Sequence, residues 1–221
     1  MSAADTISRR QSLGRMATGV FGASAGVGIV QIADADPGAL FDIEKPAIAG
    51  AIPARRREFA AGRQAARLAL GQDTAIPMAA NRAPVWPGGT TGSVTHAGEW
   101  ALAVAGAAGS MIGIDLELDE DLPGDIWSTV LTDEERAWVT AQETPGRAAR
   151  LIFSIKECAY KAQFPRSGQI FGFDTLGITV FPGDRTFKAV FQGAVAPFRA
   201  GDTIAGRFSI GSRLILTGVF Q

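Results

Sequence analysis

Between Ile112 and Leu118 the chain alternates without a break: Ile112, Ile114, Leu116 and Leu118 in one register, Gly113, Asp115 and Glu117 in the other. Period-two alternation belongs to a half-buried β-strand. Asp115 and Glu117 therefore leave the same face with their charges close together. Two neighbouring carboxylates repel unless water screens them or a cation is shared. Oxygen donors carrying a compact double charge suit Mg2+ rather than zinc.

Some forty residues later the spacing predicts a helix. With about 100° per residue, Leu151, Ile152, Ile155, Cys158, Ala159 and Ala162 share one arc, while Lys156, Glu157, Tyr160 and Lys161 share the opposite one. Beside the strand, such a helix would bring Glu157 up to Asp115 and Glu117 as a third carboxylate. Two ammonium groups next to that trio would suit a phosphate-rich ligand. The residues alone leave a plainer alternative open, a solvated Asp-x-Glu face and an ordinary Glu157–Lys161 helix pair.

Composition removes much other chemistry. The 221 residues contain one cysteine, Cys158, and one histidine, His96. An intrachain disulfide, a cysteine-cluster zinc site and a two-histidine metal motif are excluded, and the lone thiol fits a reducing cytoplasm. A net charge of −1 argues against a general nucleic-acid binder.

Residues 1–26 are expected to form a ragged extension. Ser8-Arg9-Arg10-Gln11-Ser12-Leu13 has the look of a twin-arginine export signal. However, Gly19, Gly22, Gly26 and Gly28 interrupt the apolar run, no Ala-x-Ala cleavage site precedes Asp34, and the stretch is too weakly hydrophobic for a membrane span. A first strand is expected over residues 27–33. A helix follows from about Ala54 to Leu70, closed by Gly71. It carries Arg55, Arg56, Arg57, Arg63 and Arg67, so one flank is strongly cationic.

A stiff, turn-rich loop headed by Arg82 (Arg82-Ala83-Pro84-Val85-Trp86-Pro87-Gly88-Gly89) leads into Thr91-Gly92-Ser93-Val94-Thr95-His96. A core strand is expected over residues 99–106. Thr132 starts a further helix, with Glu135 at the capping-box position. After Pro165 four alternating or β-branched runs are expected as strands, at 176–181, 186–192, 203–210 and 213–220.

Three of these segments carry a resemblance. Gly-Ile-Asp-Leu-Glu at 113–117, followed by Phe-Ser-x-Lys-Glu-x-x-Tyr-Lys-Ala at 153–162, resembles the motif pair of the 4′-phosphopantetheinyl transferases of the surfactin- and enterobactin-synthesis type. Arg55, Glu58, Phe59 and Arg63 are similar to that family's arginine helix, and the 84–96 segment to its nucleotide-side loop. The resemblance implies an α+β fold of two pseudo-symmetric lobes, each a small mostly antiparallel sheet packed with a long helix. The lobes would span 27–113 and 114–221, with a ligand cleft between them. It implies transfer of the 4′-phosphopantetheine arm of coenzyme A to a serine of an acyl or peptidyl carrier protein, with release of 3′,5′-ADP. Mg2+ would be held by Asp115, Glu117 and Glu157. Arg55 and Arg63 would take the 3′-phosphate, His96 a phosphate, and Arg82, Ser93, Thr95, Lys156 and Lys161 further coenzyme A contacts. Lys161 would stabilise the leaving group and Glu157 act as general base, with Glu134 or Glu135 as the alternative. A cytoplasmic monomer is implied, engaging neither nucleic acid nor membrane. Two other classes stay open: a Mg2+-dependent phosphohydrolase of coenzyme A or nucleotides, and a non-catalytic coenzyme A-binding protein.

Overall fold

The computed structural model describes residues 3–23 and 25–221. In chain order the elements are α1 (Ala3–Phe21), β1 (Gly26–Gln31), α2 (Pro53–Leu70), β2 (Thr90–Ala97), β3 (Trp100–Ala107), β4 (Ile112–Leu118), α3 (Trp127–Val130), α4 (Asp133–Thr140), α5 (Pro145–Ser167), β5 (Leu176–Phe181), β6 (Thr186–Phe191), β7 (Thr203–Gly211) and β8 (Leu214–Phe220). The chain divides into two compact units, residues 22–112 and residues 113–220, and α1 belongs to the second. Each contains an antiparallel sheet and a long helix, as expected, but the sheets differ in size, with three strands and five.

In residues 22–112 the order is β1-β3-β2, antiparallel throughout. Helix α2 packs on β1 and β3 through small residues. Ala61, Ala65, Ala66 and Ala69 are buried on the helix, opposite Ala101, Ala103 and Ala105 of β3. The approach is so close that a β-carbon at Gly28 would stand 1.9 Å from the Ala65 carbonyl oxygen. Gly71 ends α2 at φ 64°, a left-handed conformation that glycine adopts without a steric penalty. Before α2, the fully buried Glu44 accepts the N–H groups of Phe41 and Ile76 and the Arg67 guanidinium, which closes the loop over the core.

In residues 113–220 the order is β4-β8-β7-β6-β5. Strand β8 is covered on both faces. Thr217 reaches Ser154 of α5, and Gly218 lies under Val20 and Phe21 of α1. The expected ragged extension is therefore a docked helix, apart from residues 1, 2 and 24, which lie outside the described residues. Leu13, Met16, Ala17, Val20 and Phe21 form its buried stripe, and this i, i+3, i+4, i+7, i+8 spacing is that of one helix face. No helix among the described residues is long and apolar enough to cross a membrane.

Helix α5 crosses β4 almost in backbone contact. A β-carbon on Gly113 would fall 2.1 Å from the Cys158 carbonyl oxygen and 2.9 Å from the Ala162 β-carbon. Neither neighbour can swing aside, so Gly113→Ala is expected to lower stability by about 1–3 kcal/mol. Chemical denaturation measures this; an unchanged midpoint would mean that the helix can retreat freely.

Candidate functional site

The crossing of α5 over β4 organises the first candidate centre. Gly113, Asp115 and Glu117 share the face of β4 turned toward the helix. On α5, Arg150, Ser154 and Lys161 follow at i, i+4 and i+11, again one face. Two strand residues advance about 6.6 Å and four helix residues about 6 Å, so the two rows stay in step. Arg150 Nη1 donates to Glu117 Oε2 at 3.1 Å. Ser154 Oγ donates to Asp115 Oδ2 at 2.9 Å, and Lys161 Nζ donates to Asp115 Oδ1 at 2.6 Å. Behind Ser154, Thr217 donates to the Ser154 carbonyl and shares a hydroxyl contact with its side chain.

Asp115 is buried, so its negative charge governs the neighbours. Burial, reinforced by Asp115, pushes the Glu117 carboxyl up to about 7 against the opposing pull of Arg150 and Lys161. Glu157 is raised too, first by burial and further by Asp115, with Lys161 opposing. Burial alone would lower Lys161, but Asp115, by charge and by hydrogen bond, outweighs it and holds the ammonium above its ordinary range. Glu157 also lines a cavity of about 190 Å3 with Lys156, Tyr160, Phe171, Gly172, Phe173 and Leu176.

A ready-made three-carboxylate cage is not what these residues form. Among the described residues no group of three or more His, Cys, Asp or Glu side chains converges closely enough to hold a metal ion. Lys161 and Arg150 take up the oxygens of Asp115 and Glu117 that a cation would need. The donor chemistry still fits a hard divalent ion, because every donor is a carboxylate oxygen and two of the three are strained by a third negative charge. A divalent cation would remove that repulsion.

Lys156 departs from expectation. It is 2% exposed rather than solvent-facing. Its ammonium meets Glu135 Oε2 and the carbonyls of Val130 and Phe173, all at 2.8 Å. Three donors with three partners leave nothing for a coenzyme A phosphate. Glu135 is equally committed: it caps α4 with Thr132 in a capping box, and its other oxygen accepts the Ile178 N–H at 2.7 Å. Neither residue is placed to act as phosphate ligand or base, whereas Glu134 is simply exposed in the first turn of α4.

A second candidate centre lies in residues 22–112. Arg55 Nη1 stands 2.9 Å from His96 Nε2 and 3.1 Å from Glu58 Oε2. Arg63 is buried with its guanidinium stacked 4.1 Å over the Phe59 ring, and its Nε has no hydrogen-bond partner. Burial lowers Arg63 to about 10; Glu44 opposes this, and the like charges of Arg67 and Arg55 add to it. Two other arginines of α2 are engaged, Arg67 by Glu44 and Arg56 by the carbonyls of Ala49 and Ala51. A buried cation with an unfilled donor, beside further cations, is an arrangement that an anion would complete. Ser93 and Thr95 are buried on β2 and, by strand alternation, leave the face opposite His96. They are thus separated from it. Arg82 stands exposed at φ 69° in the turn closed by its own N–H to the Ala79 carbonyl.

Ser154, Thr217 and Arg150 were missed in the sequence. The i, i+4 spacing of Arg150 and Ser154 against the two-residue spacing of Glu117 and Asp115 was the signal that could have found those two, while Thr217 meets Ser154 only through packing of β8.

Comparison with known proteins identifies the family. Residues 43–106 match the model of the 4′-phosphopantetheinyl transferase N-terminal domain, and residues 111–202 that of the 4′-phosphopantetheinyl transferase superfamily. The 4′-phosphopantetheinyl transferase Svp of Streptomyces mobaraensis is 37% identical over 81% of this chain and 78% of its own length. The 4′-phosphopantetheinyl transferase PptT of Mycobacterium tuberculosis is 31% identical over 80% of this chain and 83% of its own. Enterobactin synthase component D of Salmonella typhi is 34% identical over 57% and 55% respectively. With two family models spanning most of its length and relatives matched along most of theirs, the chain belongs to the 4′-phosphopantetheinyl transferase family.

Proposed function

We propose that this transferase moves the 4′-phosphopantetheine arm of coenzyme A to a serine hydroxyl of an acyl or peptidyl carrier protein at the Asp115–Glu157–Lys161 centre. The observation that carries this reading is a buried carboxylate flanked by a raised glutamate and a strongly held ammonium, beside a cavity lined by aromatic rings. A new bond forms between the serine oxygen and the phosphorus that bears the arm. The bond from that phosphorus to the bridging oxygen breaks, and its electron pair leaves on 3′,5′-ADP.

Glu157 accepts the serine proton. Burial raises its affinity for protons while no cation is bound, and with a cation held there the proton would pass through water. Lys161, kept charged by Asp115, meets the negative charge that grows on the leaving oxygen. Ser154 holds the other oxygen of Asp115 and so fixes the direction of the pair. Tyr160, Phe171 and Phe173 offer an apolar wall for the uncharged portion of the arm. Asp115, Glu117 and Glu157 are the residues that would hold Mg2+, which supplies a Lewis acid for pyrophosphate oxygens. Arg55, Arg63 and His96 would receive the 3′-phosphate end.

Incubation with coenzyme A, Mg2+ and an apo carrier protein tests the reading by intact mass. A carrier heavier by one phosphopantetheine group supports it; free phosphopantetheine with an unmodified carrier would assign a phosphohydrolase instead. On the phosphate side, a charge-assisted hydrogen bond is worth about 1.5–3 kcal/mol. Arg63→Met and His96→Ala are therefore expected to raise the KM for coenzyme A roughly tenfold or more, with kcat little changed. An unchanged KM would return both residues to a purely structural part.

A further inference from the structure

We propose that Lys156 and Glu135 form a positioning pair that pegs the 171–178 segment against α5, so that the cavity beside Glu157 keeps its shape. The inference rests on the centre assigned above, but it gives these two residues a task that touches no substrate.

The contacts form one connected peg. Lys156 reaches from α5 to the Val130 carbonyl at the end of α3, to Glu135 on α4 and to the Phe173 carbonyl. Glu135 passes the tie onward to the Ile178 N–H in β5 and to Thr132 at the start of α4. Phe173 and Ile178 thus bracket a segment held at both ends by a single ion pair. Between them lie Thr175, whose carbonyl accepts the Gln192 N–H, and Leu176, which lines the cavity. Aromatic rings hold the same wall from α5: Phe153 to Phe173 at 5.6 Å and Tyr160 to Phe171 at 5.3 Å between centroids. Lys156 directly precedes Glu157, so the peg also sets how far α5 is rotated about its axis. Both ionic partners are almost wholly enclosed. A buried pair is a poor source of net stability but a strong constraint on geometry, since either charge alone is costly.

The test pairs Lys156→Met with Glu135→Gln, which removes both charges and keeps the volumes. The double variant is expected to unfold cooperatively, because replacing a whole buried pair is tolerated far better than breaking it. Its kcat for carrier modification should fall about 10–100-fold, the usual cost of losing a supporting contact, with the KM for coenzyme A within threefold. Amide hydrogen exchange over residues 171–178 should quicken at least tenfold, and this readout needs neither coenzyme A nor carrier. Should the double variant not fold, Glu135→Asp, which keeps the charge of the pair but shortens its reach to the Ile178 N–H, is read by the same exchange. Two results would overturn the proposal: unchanged exchange over 171–178, or a tenfold rise in KM at constant kcat, which would make Lys156 a phosphate ligand after all. Failure of the unaltered protein to modify any carrier would instead sink the functional reading while leaving the exchange result to stand.

Discussion

Glu157→Gln is expected to reduce kcat for carrier modification by about 10³-fold, and Lys161→Met by about 10²–10³-fold, with coenzyme A binding retained in both. The glutamine keeps the size of Glu157 and its place beside Tyr160 and Phe171 but can take no proton. The methionine keeps the stem of Lys161 but presents no charge to the leaving oxygen. Glu157 is only partly enclosed, and after Lys161→Met the buried Asp115 keeps the Ser154 hydroxyl, so some loss of stability is expected for Lys161→Met and less for Glu157→Gln. Kinetics with coenzyme A held above its KM, together with a thermal melt of each variant, decide the matter. A Glu157→Gln protein working within tenfold of the unaltered rate would remove Glu157 from the role of base.

Removal of the N-terminal helix is expected to be as damaging to the fold as those changes are to the chemistry. A chain starting at Gly22 would uncover the β7–β8 face on which Val20 and Phe21 sit over Gly218 and Met16 lies 3.8 Å from the position of a Gly211 β-carbon. A bare apolar sheet face of that kind drives association. The truncated protein should aggregate or lose its cooperative transition. Leu13→Ala is the gentler form of the same test: the side chain is 0% exposed, and its loss should cost about 2–5 kcal/mol in a denaturant titration. A change below half a kcal/mol would show that the helix is not part of the folded body.

Much of this structure was legible in the sequence wherever one periodicity dominated. Strand β4 announced itself through alternation, and the expected strands after Pro165 coincide with β5–β8 to within a residue or two. Helix α2 was bounded by its arginine-rich run and Gly71. The N-terminal helix was misread although Leu13, Met16, Ala17, Val20 and Phe21 have helical spacing, because Gly14 and Gly19 inside it each weaken an isolated helix. Packing on β7 and β8 outweighs that weakness. Lys156 was misplaced for a related reason. A helical wheel divides α5 by one partner, β4 and β8, and cannot show that Val130, Glu135 and Phe173 close over the opposite side. Lys161 was expected beside the carboxylates, but Arg150 was not. Local spacing put Asp115 and Glu117 on one strand face, whereas the contacts of Arg150 with Glu117 and of Ser154 with Asp115 depend on how closely α5 approaches Gly113.

The centre at Asp115 is tested most directly by single-turnover modification of an apo carrier, followed by intact mass with excess coenzyme A and Mg2+. The unaltered protein is predicted to convert the carrier completely. Asp115→Asn, shown separately to bind coenzyme A, is predicted to leave it unmodified over the same interval. If the asparagine variant charged the carrier at close to the unaltered rate, the reaction would not run at this carboxylate and the account would be contradicted.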